Sequence, residues 1–110
     1  MIPLHIGAMD ADHLDRVFRA LADPIRRRII DRLQEKPNQS LFQICALAVA
    51  EGEKAISRQA VSQHLDMLEK AGLVRVSWSG RTKLHSLDLK PLQNAAKIWL
   101  RKHLDEGERS

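Results

Sequence analysis

The chain has little aromatic character and almost no sulfur. Across 110 residues there is no tyrosine, aromatics make up 4%, and Cys45 is the only cysteine. A lone thiol excludes an internal disulfide and any cysteine-cluster zinc site within one chain, and it fits a reducing cytoplasm. No long apolar run marks a membrane span, nothing resembles a signal peptide, and there is neither an internal repeat nor a low-complexity stretch. No glycine-rich phosphate loop is present and no Ser/His/Asp set is suggested by spacing, so the reading is of a protein that is not an enzyme, with no catalytic residues and no cofactor. With so few aromatics the core must be built from Leu, Ile, Val and Ala, which suits packed helices. The length allows one domain with a modest core.

Charge is the first positive signal. Eighteen Lys and Arg against fourteen Asp and Glu give a net charge of +4, a balance that fits a polyanionic partner. The pattern of elements then narrows the class. Residues 1–9, broken by Pro3 and Gly7, read as a loose N-terminal arm; 10–106 form the folded domain, and 107–110 a C-terminal tail. Asp10 or Asp12 can cap a first helix whose apolar stripe is Leu14, Val17, Phe18 and Leu21. Asp23-Pro24, an N-cap followed by proline at the first helical position, starts a second helix that buries Ile25, Ile29, Ile30 and Leu33. Glu35 to Ser40 is a loop. Leu41, Ile44, Cys45 and Ala48 mark a third helix on which Cys45 faces inward as core filling. Glu51 to Ile56 is a polar connection.

Ser57 caps the next helix, and Gly72 stands where a helix commonly closes in the left-handed region. Val61, His64, Leu65 and Leu68 keep core-facing spacing, while Gln59, Ser62, Gln63 and Asp66 occupy the opposite face. Arg58 adds a cation at the start, whereas Asp66 and Glu69 lie further along, so the first two turns are the ones suited to a phosphate-bearing partner. Gln matches the paired donor and acceptor of adenine in the major groove, and Ser serves several bases or a phosphate. Val74 and Val76 then alternate with Arg75 and Ser77, Trp78-Ser79-Gly80-Arg81 offers a turn, and Thr82 to Leu87 returns antiparallel. This hairpin places Arg81 and Lys83 near its tip as phosphate or minor-groove cations. His64 is either a boundary histidine packed on the core or a phosphate donor. Trp78 is read as an anchor that packs the hairpin base onto the domain rather than as a stacking residue.

A last helix opens at Asp88 or Lys90 through Pro91, with Leu92, Ala95, Ala96, Trp99, Leu100, His103 and Leu104 on a broad apolar side. Two terminal helices with surplus apolar faces point to a two-fold dimer with Leu14, Phe18, Leu92, Ala95, Trp99 and His103 at its interface.

As a set, LADPIRRRIIDRL (21–33), SRQAVSQHLDMLEKAGLV (57–74) and GRTKLHSL (80–87) resemble the ArsR family of bacterial winged-helix transcription regulators. The resemblance runs from about Leu14 to Leu104. It implies a mainly α fold with a small β-hairpin, a winged helix-turn-helix forming an intertwined homodimer through its first and last helices. It further implies a repressor, autorepression included, that occupies an inverted-repeat double-stranded DNA operator and in many members is released by a metal, another small effector or a redox change. On that basis Ser57, Arg58, Gln59, Ser62, Gln63 and His64 correspond to the recognition helix and Arg81 and Lys83 to the wing. Arg26, Arg27 and Arg28 match the family's basic start of the second helix, with a structural or backbone-neutralising role.

Metal-sensing members of that family carry a Cys-x-Cys pattern on the third helix, or acidic and histidine ligands on the last one. This chain has neither, so no metal site is expected. A cross-subunit site through His103, or one recruiting His5 and His13, is the alternative, as is an unidentified small-molecule or protein effector. The segment from Ala48 to Ile56 is longer than the usual turn of the motif and leaves the tilt of the recognition helix open. Two further readings of the same fold are a protein-interaction module and a sequence-indifferent nucleic-acid binder.

Overall fold

Polar side chains determine where the first four helices begin. In the computed structural model, which describes residues 10–50 and 56–104 with the side chains of 48–50 excepted, Asp10 accepts from the His13 amide at 2.7 Å and opens α1 (Ala11–Leu21). Asp23 accepts from the amides of Ile25 and Arg26 at 2.8 and 3.3 Å and opens α2 (Pro24–Glu35), with Pro24 where its missing N–H costs nothing. Ser40 and Gln43 exchange side-chain and backbone bonds, a reciprocal capping box that starts α3 (Leu41–Ala50). Ser57 accepts from the Ala60 amide at 3.0 Å and opens α4 (Arg58–Lys70).

The end of α4 is equally well defined. The Gly72 amide donates to Glu69 and that of Leu73 to Leu68, both at 2.9 Å, the paired bonds of a Schellman close. Gly72 has φ +78°, and a Cβ there would stand 3.4 Å from Pro91 and 3.5 Å from the His13 ring. These are ordinary contact distances, so it is the left-handed turn that calls for glycine here.

β1 (Val74–Ser79) and β2 (Thr82–Leu87) pair antiparallel from Val74↔Leu87 to Ser79↔Thr82. Their turn is the two-residue Gly80-Arg81 link, one residue later than the sequence suggests. Gly80 has φ +61° and Arg81 is not left-handed, which fits the II′ hairpin that favours glycine first. A bridge that periodicity does not reveal anchors the hairpin. Gln39 and His85 exchange backbone bonds of 3.0 and 2.8 Å. The buried His85 ring also places Nδ1 2.9 Å from the Gln39 carbonyl, which can only accept, so Nδ1 carries the proton. Asn38, in the left-handed region at φ 59°, turns the loop after α2 to make this pairing possible.

The core is aliphatic. Val17, Ile29, Leu33, Ile44, Leu68 and Leu73 are essentially inaccessible, and Cys45 packs half-buried against this cluster. Truncating a side chain such as Leu68 to alanine is expected to cost about 2–5 kcal/mol.

The last helix departs from a simple stripe. α5 (Lys90–Ala95) runs into a π-helical turn (Ala96–Leu100) before helix resumes over 101–104. The wider turn inserts an extra residue, so side chains beyond it rotate relative to those before it. Leu92 and Ala95 face the chain's own core, whereas Ile98, Trp99, Leu100 and Leu104 are exposed. The N-terminal arm, most of the polar connection (51–55), His5, Asp105, Glu106 and the C-terminal tail lie outside the described residues.

Candidate nucleic-acid interface

α4 presents Arg58, Gln59, Ser62, Gln63, Asp66 and Glu69 to solvent while Val61, Leu65 and Leu68 hold it on the core. The hairpin stands beside it. Between them lies an open cleft of about 560 Å³, floored by Leu65 and His85 and closed at one end by the start of α3. Arg58 and Ser62 enter this cleft from α4, and Arg81, Thr82 and Lys83 enter it from the hairpin. Three of the expected cations thus converge from two elements separated in sequence. Arg58 and the α4 N-terminus, with its partly unsatisfied amides, share one sign of potential.

The other anticipated residues divide. Gln59 and Gln63 are exposed on the outer surface of α4, outside the cleft. The Ser57 hydroxyl is occupied as the helix cap. His64 is half-buried, with Nδ1 3.2 Å from the Arg26 guanidinium, so it faces α2. Arg26 and Arg27 do not project toward the cleft: their guanidinium groups donate to the carbonyls of Arg19, Ala20 and Leu21 at the end of α1. These contacts fit the structural one of the two roles that the family resemblance implies for them.

Acids temper the cleft. Glu69 lies 4.0 Å from Lys83, and Asp66 pairs with Lys70 at 2.9 Å. All four side chains are well exposed, so these pairs contribute little stability. Their effect is on the field: Lys83 shares its charge with a carboxylate until a stronger anion arrives. Trp78 corrects its reading as a packing anchor. It stands opposite Lys83 near the hairpin tip and is 65% exposed. The hairpin base is secured by Val74, the Gln39–His85 bridge and an Arg75–Asp88 ion pair of 2.9 Å instead. The Lys90 amide, against the opposing pull of burial and with help from Arg75, holds the Asp88 carboxyl below the usual carboxylate range.

A second surface forms on the opposite elements. Phe18 and Trp99 meet edge to face with centroids 5.9 Å apart, and His103 stacks on Trp99 at 4.4 Å. Leu14, Asp15, Phe18 and Trp99 line a shallow hollow of about 370 Å³. Leu14, Phe18, Trp99 and His103 therefore share one face. Leu92 and Ala95 do not reach it, Ala95 being 2% exposed within its own chain, while Ile98, Leu100 and Leu104 are exposed on the same last helix. No group of three or more potential metal ligands occurs among the described residues. His13 instead places Nε2 3.1 Å from the Ala71 carbonyl.

Capped α3 and α4, a basic hairpin and a shared cationic cleft define a winged helix-turn-helix protein. Residues 21–77 match the family model of a helix-turn-helix domain. The chain is 35% identical over 86 residues to the HTH-type transcriptional regulator YuzN of Bacillus subtilis (strain 168), spanning 78% of this chain and 94% of that protein. It is 28% identical over 95 residues to the transcriptional repressor SdpR of the same organism, spanning 86% and 97%. Among solved structures, an ArsR-like transcriptional regulator from Rhodococcus sp. RHA1 superimposes with a TM-score of 0.69 at 28% identity, covering 89% and 86% of the two chains. The homodimeric winged helix-turn-helix DNA-binding domain of Mb0332 from Mycobacterium bovis shares the fold at 24% identity, with a TM-score of 0.60 over 86% and 84%. The chain belongs to the ArsR family of winged helix-turn-helix transcriptional regulators, which are DNA-binding proteins and not enzymes.

Proposed function

We propose that this regulator is a homodimeric repressor of the cytoplasm that reads an imperfect inverted repeat, Gln59, Ser62 and Gln63 facing bases while Arg58, Arg81 and Lys83 grip the backbone. The observation that carries the reading is the convergence of Arg58 and Ser62 with Arg81 and Lys83 in one open cleft. Such a cleft accepts a phosphate strand, and an adjacent row of Gln side chains then meets the major groove. His64 faces α2 as the partner of Arg26, and the Ser57 hydroxyl caps the helix.

Dimerisation is supported by the contact of half-buried Phe18 with exposed Trp99 and by the exposed Ile98, Leu100 and Leu104 of the last helix, since an isologous contact hides both copies at once. The homodimeric Mb0332 domain, which has the same fold, supports that assembly. Two recognition helices about 34 Å apart would then address successive major grooves. Repression is supported by the relative SdpR, itself a transcriptional repressor.

The test is fluorescence anisotropy of the protein against the DNA upstream of its own gene, beside a scrambled duplex, across a salt series. Preference for the native duplex that persists as salt rises is expected, with a log–log salt slope of roughly −5 if six phosphates are neutralised per dimer. Equal affinity for both duplexes would make it a general phosphate binder, and no binding to either would leave a protein-interaction module.

A further inference from the structure

Behind the recognition helix, beside its apolar contacts with the core, lies the guanidinium of Arg26. Arg26, the third residue of α2, has a side chain only 11% exposed. Its Nε donates to the Ala20 carbonyl at 2.8 Å and its Nη2 to the Arg19 carbonyl at 2.9 Å. Both acceptors belong to the last turn of α1, and the Arg19 carbonyl accepts the Ala22 amide at 3.2 Å as well. The remaining nitrogen, Nη1, lies 3.2 Å from His64 Nδ1 and 3.9 Å from the Asp23 carboxylate.

An arginine nitrogen can only donate. His64 Nδ1 must therefore offer its lone pair, which leaves the ring proton on Nε2. His64 is the residue after Gln63 on α4 and adjoins the base-facing row. One rigid, planar fork thus joins the end of α1, the cap of α2 and the middle of α4.

We propose that Arg26 is a positioning residue for DNA recognition: through His64, held as its Nε2–H tautomer, it sets the rotation of α4 against the α1–α2 corner and so the place of Ser62 and Gln63. The proposal rests on the DNA-binding reading. It goes further in linking the two surfaces of the molecule, because α1 also carries Phe18 on its exposed aromatic face. Lysine cannot substitute, since a point charge on a flexible stem cannot satisfy three directions in one plane.

The test has two arms, both on the full chain. Long-range ¹H–¹⁵N correlation spectra of ¹⁵N-histidine-labelled protein at about pH 8, above the ordinary imidazole range, should show His64 with Nε2 protonated and Nδ1 bare. Arg26→Lys should turn that signal into a tautomer mixture. In the second arm, anisotropy with the upstream duplex is measured for Arg26→Lys, His64→Ala and the double variant. Each single change is expected to weaken binding roughly fivefold, with the double variant no weaker than Arg26→Lys alone, because both break one linkage. His64→Asn, whose Oδ1 can accept in place of Nδ1, should restore most of the affinity lost in His64→Ala and serves also if Arg26→Lys does not fold. An Nδ1–H tautomer in the unmodified protein, additive losses, or an Asn variant as weak as Ala would overturn the proposal. Failure of the unmodified chain to bind any duplex would instead bring down the DNA-binding reading, whereas additive losses in a chain that binds would bring down this proposal alone.

Discussion

The two exposed faces of this molecule are built on opposite principles. The face of α4 and the hairpin exposes polar and charged groups over an apolar floor, and its cations come from two elements. The face of α1 and the last helix leaves Trp99 46% exposed, and Ile98, Leu100 and Leu104 of the same helix are exposed with it. The first surface tolerates water because long cations remain hydrated until phosphate replaces the solvent. The second pays continuously for its exposure, so it points to a partner present at all times. A transient ligand and a permanent subunit thus leave different surfaces behind.

The largest expected effect comes from breaking the apolar face. Trp99→Glu should convert the dimer to a monomer in sedimentation velocity and reduce affinity for the upstream duplex by about 100-fold or more, since two tethered half-sites act at high effective concentration. An intact dimer would place the interface elsewhere. The comparison is sharpened by Leu92→Glu, which should unfold the chain instead, because Leu92 packs on the core.

Within the polar face, Gln63→Ala should cost about 1–3 kcal/mol and relax preference at one base pair, whereas Lys83→Ala should weaken every duplex alike and shallow the salt slope by about one per protomer. Identical behaviour in competition anisotropy would refute the division between base readers and backbone cations. Smaller again is Glu69→Gln. Releasing Lys83 from its 4.0 Å partner should tighten binding to native and scrambled duplexes together, by up to about 1 kcal/mol. An unchanged scrambled-duplex affinity would show that the carboxylate does not restrain the wing.

The smallest effect concerns stability alone. Burial pushes the Asp23 carboxyl up, but the amides of Arg26 and Ile25 and the Arg26 charge outweigh it and hold the group below the ordinary range. A depressed carboxylate contributes stability that is present above about pH 4 and is lost as pH falls through the folded-state value. Asp23→Asn keeps a good cap without the charge. Its melting temperature should lie below that of the parent at pH 7, and the gap should close below about pH 4; a constant gap would mean that the charge contributes nothing.

Much of this was legible in local chemistry. Asp23-Pro24, Ser57 and Gly72 each announce an element boundary through backbone needs that the neighbouring residues alone satisfy, and the observed helices obey them. Ser40 and Gln43 carry an equally readable capping signal, Ser-x-x-Gln, that periodicity overlooks. Trp78 defeats a local reading because an aromatic in a strand is usually covered, whereas this one is 65% exposed on a hairpin whose projection depends on where β1 leaves α4. A regular helical stripe through Leu104 would put Ala95 on the partner-facing side, and the π-helical turn at Ala96–Leu100 breaks that regularity. Gln39–His85 and Arg26–His64 join residues 46 and 38 positions apart and leave no trace in spacing.

From the sequence by itself came the caps at Asp23 and Ser57, the glycine close at Gly72, the apolar stripes of the first four helices and the cationic character of the recognition helix and wing, since each depends on residues within a few positions of one another. Tertiary structure decided which cations share a cleft, which apolar residues remain uncovered and which guanidinium meets His64, because those follow from the relative placement of whole elements, and packing sets that placement through contacts among residues far apart in the chain.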